Sequence, residues 1–286
     1  MDIQGKRQSG NIEDRRGGRG KMIAGGGIGT LILAVVIYFL GGDPSQVINV
    51  AQQQSNTQQY ENNEGIDDEG KKFVSVVLAS TEDVWNSAFQ KMGDAYKEPA
   101  LVLFTEQTQS GCGGASHATG PFYCPADKKI YLDLSFFTEL SQRHGVRGEF
   151  ANAYVIAHEV GHHVQDLMGI TTKVHQMQQQ TNQKEANRLS VMLELQADFL
   201  AGYWAHYAQN LKLNKEEIES ALIAANAIGD DRLQKNAQGY VVPDAFTHGT
   251  SQQRMYWFMK GYQSGDLNQS NTFEDPNRSE EHTSEL

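Results

Sequence analysis

His158-Glu159-Val160-Gly161-His162, set within the apolar-periodic stretch Phe150–Met168, is the part of this 286-residue chain whose reading decides its fold class. On a helix, residues four apart stack on one face, so His158 and His162 can present two imidazole nitrogens to one metal ion. Glu159 follows the first histidine directly and projects toward a metal-bound water without being a ligand itself. This is the geometry of a zinc hydrolase with a carboxylate general base. The plain alternative is a helix bearing two solvated histidines. From ordinary residue frequencies, this spacing arises by chance in such a chain at roughly the one per cent level, which favours the metal reading.

Catalytic zinc takes three protein ligands and leaves the fourth position for water. The metzincin pattern needs a Gly and a His where this chain has Gln165 and Met168, so that class is excluded. The better third donor lies in Glu194-Leu195-Gln196-Ala197-Asp198, inside a second helical run from about Glu185 to Tyr207. Leu189, Met192, Leu193, Gln196, Phe199, Leu200, Tyr203 and Trp204 give that run its apolar period, and Glu194 and Asp198 share a face one turn apart. Such a pair can divide its work: Glu194 binds zinc, and Asp198 accepts the distal N–H of a ligating histidine. Acidic residues four apart are otherwise a solvated helix face. If Glu194 is not the ligand, Glu185 and His206 are the next candidates.

His158, His162, Glu194 and Asp198 together look like the gluzincin arrangement. The stretch Ser110-Gly111-Cys112 through Gly120-Pro121-Phe122-Tyr123-Cys124-Pro125-Ala126-Asp127 resembles the bacterial putative neutral zinc metallopeptidase family, YpfJ-like. The likeness runs from about Phe73 to Phe273 and includes Ile130–Phe137 and Gly202-Tyr203-Trp204-Ala205. It implies a membrane-associated zinc peptidase, mostly helical with a small sheet, and says little about substrate. Thr247–Arg254 is similar to the His-to-Arg segment that follows the third ligand in several membrane-linked gluzincins. That similarity implies His248 as a donor to the oxyanion at the scissile carbonyl and Arg254 as a support for the zinc-site carboxylates. The gluzincin pattern has Pro after the His where this chain has Gly249, and a lone loop histidine is by default solvated. His163 lies on another helix face from the ligand pair, and His117, His144, His175 and His206 have no partner spacing, so each reads as a core or surface residue.

Charge and composition divide the chain further. Residues 1–21 hold six Lys or Arg against three acids, net +3, so the rest carries −14 of the total −11. So acidic a main domain repels phosphates and argues against nucleic-acid binding. Residues 22–40 hold no charge, and their length on a helix is roughly 28 Å, close to the hydrocarbon thickness of a bilayer. They read as one transmembrane helix, with a cleaved signal peptide as the rival. The basic flank places residues 1–21 in the cytoplasm and the chain beyond residue 40 outside. Residues 41–72 are rich in Gln, Asn, Asp and Glu and read as a flexible polar linker. Residues 73–277 form the peptidase domain, and 278–286 resemble a sequencing-adapter translation that does not belong to the native chain.

The only two cysteines, Cys112 and Cys124, have eleven residues between them in a Gly-rich loop on the expected outer side. A disulfide there would restrict the unfolded chain by roughly 2–3 kcal/mol. Two free thiols or a minor metal site are the alternatives. Ile130–Phe137 alternates enough to read as a strand, which in zincins commonly serves as an edge for an extended substrate.

The sequence thus predicts an α+β, mostly helical zincin-like domain with a small β-sheet, preceded by one transmembrane helix. It would be a membrane-anchored, extracytoplasmic metallopeptidase whose Zn2+ is held by His158, His162 and Glu194, with Glu159 as base and a protein or peptide as substrate. The rivals are a zinc hydrolase of another amide or ester and a zinc-stabilised binding module without catalysis. Glu159 speaks against the second, since a structural site has no use for a general base.

Overall fold

The computed structural model describes residues 1–17, 68–144 and 148–274. In chain order its elements are β1 (Ile12–Asp14), α1 (Asp68–Met92), β2 (Ala100–Phe104), β3 (Gln107–Ser110), β4 (Gly113–Ser116), β5 (Phe122–Cys124) and β6 (Lys129–Asp133). The helices α2 (Ser135–His144), α3 (Glu149–Leu167), α4 (Ile170–Gln178), α5 (Gln183–Tyr207), α6 (Lys215–Ala227), α7 (Asp230–Gln238) and α8 (Ser251–Ser264) complete the chain. The class is α+β and mostly helical. Strands β1, β2, β6 and β5 form one sheet in that order, parallel except for β5, and β3 pairs with β4 in a separate hairpin.

The zinc-motif helix α3 is the centre of the packing. Fourteen of its nineteen residues are buried, including the run Ala153–Gly161. Its apolar residues are packed against α1, α5, α6 and α8, with Phe150 stacked on Trp204 of α5 and Tyr154 edge-on to Phe258 of α8, and its polar residues are buried with them. Helix α5 starts where Asn182 caps it, its Oδ1 accepting from Glu185 N at 3.0 Å. It crosses α8 at a pair of glycines. A Cβ on Gly202 would lie 2.0 Å from the Phe258 carbonyl oxygen, and one on Gly261 2.1 Å from that of Phe199. Backbone contact this close fixes the sliding register of the two helices, which sets where Asp198 and Arg254 meet.

The N-terminal residues require a correction. Residues 1–21 read as a cytoplasmic segment apart from the domain, yet Met1–Arg15 belongs to one compact unit with the described residues from Asp68 onward. Strand β1 runs parallel to β2, Leu101 N donates to Asn11 O at 2.8 Å and Arg15 N to Leu103 O at 2.8 Å. The physical reason lies in what these residues cover. Glu82 on α1 is 1 % exposed, and its carboxylate is bonded by Arg7 (2.8 Å), Asn11 (2.9 Å) and the hydroxyl of Ser9. Short, polar and without periodicity, this segment carries no sequence signal of its own. Deleting Met1–Arg15 strips β1 from the sheet, removes the core packing of Met1, Ile3 and Ile12 and uncovers the face of α1 around Glu82, a loss of about 3–5 kcal/mol. The expected outcome is a thermal midpoint lower by roughly 10 °C in a domain of this size, read by calorimetry.

Helix α1 begins at Asp68, so the linker expected over residues 41–72 ends earlier than its composition suggested. The transmembrane reading of residues 22–40 and the adapter reading of 278–286 lie outside the described residues. Among the described residues, no helix is long and apolar enough to cross a membrane.

The edge strand is also corrected. Ile130–Phe137 is not one strand: β6 stops at Asp133, whose Oδ1 accepts from Ser135 N (3.0 Å) and Ser135 Oγ (2.6 Å), and Ser135 starts α2. A carboxylate capping the first amides of a helix ends the strand. Strand β6 is interior, and the outer strands are β1 and β5. Cys124 on β5 is disulfide-bonded to Cys112 at the turn between β3 and β4.

Candidate metal centre and active site

Helix α3 and helix α5 approach so closely at the motif that a Cβ on Gly161 would sit 3.0 Å from the Ala197 carbonyl oxygen. This contact brings Glu194 across from the two histidines. His158 Nε2 lies 3.1 Å from Glu194 Oε2, and His162 Nε2 lies 3.4 Å from Glu194 Oε1. One donor atom from each of the three residues falls within 4.8 Å of the others, the one such group of acid, Cys or His side chains among the described residues. Ligand atoms about 2.0–2.1 Å from a tetrahedral zinc stand roughly 3.3 Å apart, so two imidazole nitrogens and a carboxylate at these separations suit Zn2+.

The remaining nitrogens are held from behind. His158 Nδ1 is 2.9 Å from Asp198 Oδ1, and His162 Nδ1 is 2.9 Å from Gln165 Oε1. Each acceptor calls for an Nδ1–H, so Nε2, facing Glu194, is the nitrogen that becomes available to a metal once its own proton leaves. Gln165 is fixed in turn through its amide, which donates to Leu193 O at 2.7 Å and to Gln196 Oε1 at 3.0 Å.

Asp198 is fully buried, and four donors meet its carboxylate. Besides His158 these are Tyr154 Oη (2.5 Å), Arg254 Nε (2.8 Å to Oδ2) and Arg254 Nη2 (3.0 Å to Oδ1). Burial disfavours its charge, but Arg254 and His158 outweigh that and hold the Asp198 carboxyl below its usual range. The same contest decides the ligands. Burial opposes a charge on His158, yet Asp198 and Glu194 raise its pKa to about 10. Burial likewise opposes ionisation of Glu194, yet His162 and His158 hold it well below the usual carboxylate value. Metal-free protein therefore carries a proton on His158 at neutral pH, which a metal ion must displace. Zinc binding at pH 7 is expected to release protons, and its apparent affinity to rise with pH. Titration calorimetry in buffers of different ionisation enthalpy reads this directly, and equal heats in all of them would contradict it.

Glu159 lies beside the histidine pair and outside the ligand group, 8 % exposed. Burial raises its carboxyl pKa, partly offset by the two imidazoles. A carboxylate whose proton affinity is raised is a better base near neutrality.

His248 stands at the rim, its side chain half exposed, and the carboxylates of Asp230 and Glu194 raise its pKa against the pull of burial. Asp230, at the start of α7, organises this loop. Its Oδ2 accepts from the amides of Thr247 (2.7 Å), His248 (2.6 Å) and Gly249 (3.0 Å), and its Oδ1 lies 3.3 Å from His248 Nδ1. Gly249 has φ +89°, where proline cannot go, which accounts for the departure from the gluzincin His-Pro pattern. Asp230 and Gln165 were both missed in the sequence. Asp230 reads there as an ordinary acidic residue in a helix first turn, and Gln165 as one more polar position. The stand-in third ligands stay apart from the centre: Glu185 pairs with Arg188 at 2.5 Å, and His206 Nδ1 lies 2.7 Å from Tyr262 O.

The family model described as "Putative neutral zinc metallopeptidase" matches residues 1–273. The chain belongs to that family. The match begins at residue 1 and so takes in β1 along with both motif helices. An Escherichia coli (strain K12) relative, "Uncharacterized protein YpfJ", is 51 % identical over 96 % of this chain and 99 % of its own length. A Mycobacterium tuberculosis (strain H37Rv) protein is 40 % identical over 72 % of each chain. No solved structure matches.

Proposed function

We propose that this member of the zinc metallopeptidase family hydrolyses peptide bonds with His158, His162 and Glu194 as zinc ligands and Glu159 as general base. The observation that carries the reading is the pairing of a three-donor group with a buried, non-ligating carboxylate at its side. A structural zinc is usually closed by four protein ligands and needs no base. Zinc bound there would act as a Lewis acid on the scissile carbonyl and on the attacking water. Glu159 takes the proton from that water and returns it to the leaving amine. His248, held by Asp230, donates to the oxyanion, and Asp198 and Gln165 keep the ligand imidazoles aimed. The outer strand β5, antiparallel to β6, offers a main-chain edge on which an extended peptide can lie as one more strand.

The apolar stretch 22–40 supports membrane association, and the Cys112–Cys124 disulfide supports an oxidising compartment for the domain. With β1 in the sheet, both flanks of that stretch belong to one body. Our reading therefore puts residues 1–15 on the same side of the membrane as the domain, in place of a cytoplasmic N-terminus. A cysteine at Gln4 and one at Lys173 should be labelled together by an impermeant reagent.

The test of the activity uses casein and a mixed peptide library, with chelator and with zinc restored. Wild type should bind one zinc and cleave only when loaded. Glu194→Ala should lose most of the metal and the activity together. Cleavage of an ester or a non-peptide amide with intact casein would favour the broader hydrolase, and zinc-loaded protein that cleaves nothing would leave a binding module.

A further inference from the structure

Behind His162 a line of hydrogen bonds crosses two helices and ends on residues 265–273, the segment that follows α8. His162 Nδ1 stands 2.9 Å from Gln165 Oε1, Gln165 Nε2 donates to Leu193 O (2.7 Å) and to Gln196 Oε1 (3.0 Å), and Gln196 Nε2 donates to Ser270 O at 2.9 Å. Gln165 is 0 % and Gln196 4 % exposed, so water does not compete for these bonds. The segment is itself latched to α5, where the fully buried Thr272 donates its hydroxyl to Met192 O at 2.6 Å.

The direction of this line is not free. A carboxamide can turn over and exchange its oxygen for its nitrogen, but a main-chain carbonyl only accepts. Ser270 O therefore keeps the nitrogen of Gln196 on its own side and turns Oε1 toward Gln165 as an acceptor. Leu193 O and Gln196 Oε1 then take both protons of the Gln165 amide, which leaves its oxygen to face His162. An acceptor there holds a proton on Nδ1, and Nε2 is the nitrogen left to face Glu194. We infer that residues 265–273 are part of the metal centre, with Gln196 as the positioning residue: the Ser270 carbonyl, through Gln196 and Gln165, sets which nitrogen of His162 is offered to zinc. This rests on the proposed zinc-ligand reading. It gives a role to Gln196, which stands between Glu194 and Asp198 and reads in the sequence only as part of an apolar period. His158 has no part in the line, since its Nδ1 meets Asp198.

Gln196→Met keeps the length of the side chain and removes its amide donor and acceptor. In full-length protein, competition with a fluorescent zinc chelator should show zinc held about 10–100-fold more weakly, the usual effect of losing a group behind a ligand histidine. With Gln165→Met already present, Gln196→Met should weaken zinc no further, because it acts through that amide. A second readout separates positioning from a general loosening of the fold. In zinc-loaded protein the Nδ1 proton of His162 should exchange with water at least about tenfold faster in Gln196→Met, measured by NMR, while that of His158 keeps its rate. Thr272→Val unlatches the segment without touching either glutamine, and should give the same selective change if Gln196→Met does not fold. Wild-type affinity in Gln196→Met, additive losses in the double variant, or equal quickening at both histidines overturns the inference. The line can also be read without metal. In zinc-free protein the side-chain amide protons of Gln165 should exchange at least about tenfold more slowly than those of the exposed Gln180, and lose that protection in Gln196→Met. Exchange at Gln165 as fast as at Gln180 rejects the line whether or not zinc binds, whereas slow exchange in a protein that binds no zinc rejects the zinc reading and leaves the hold on His162 intact.

Discussion

Glu159→Gln is expected to leave zinc content and thermal stability at their wild-type values while peptide hydrolysis falls by roughly 10²–10⁴, the usual contribution of a positioned general base. The amide keeps the size of the side chain, but it cannot take up a proton. The loss would be larger if the same carboxylate also carries the proton to the leaving group. His248→Ala should cost less, on the scale of one lost oxyanion donor, roughly 10²–10³. His248 is half exposed and outside the ligand group, so its loss leaves the metal in place. Both effects are read as kcat/KM on one fluorogenic peptide, with metal measured in the same samples. A Glu159→Gln protein that cleaves at the wild-type rate would remove the mechanism.

Arg254→Leu is expected to destabilise the domain by about 3–5 kcal/mol, because it strands the Asp198 carboxylate in a site with no access to water. Arg254 is 2 % exposed and Asp198 0 %, and the two are joined through both carboxylate oxygens. Without that counter-charge Asp198 becomes easier to protonate, and its hold on His158 Nδ1 weakens. Loss of a partner behind a ligand histidine typically lowers metal affinity about 10–100-fold. Pairing Arg254→Leu with Asp198→Asn removes the stranded charge and should recover part of the stability but not the affinity. Denaturant titration and competition with a zinc chelator separate the two. Equal stability of Arg254→Leu and wild type would show that the pair is not the anchor its burial indicates.

The match of the family model over residues 1–273 and the position of β1 bear on each other. A parallel strand at the sheet edge and a buried carboxylate satisfied by Arg7, Ser9 and Asn11 make the first fifteen residues part of the folded body. Nothing in their composition announces this. Strand β1 is three residues long, and its residues are exposed or half-buried, so it lacks the alternation by which strands are read.

The sequence by itself determined the elements whose signal is local. The four-residue spacing of His158 and His162, and of Glu194 and Asp198, is a property of helix geometry, and the apolar periods around both pairs require helices there. Two cysteines in one short loop likewise needed little more than proximity along the chain. What only the tertiary structure decided is everything that depends on which helix face meets which. Gln165 behind His162, Asp230 behind His248, and Tyr123 across His163 and Asp166 join residues between 3 and 43 positions apart. Even the nearest of these, within one turn of α3, gains its meaning from Leu193 and Gln196 on another helix. Hydrogen-bond partners of buried polar groups are chosen by packing. Packing here is set by close backbone approach at Gly161 and above all at Gly202 and Gly261, where a single methyl group would force the helices apart.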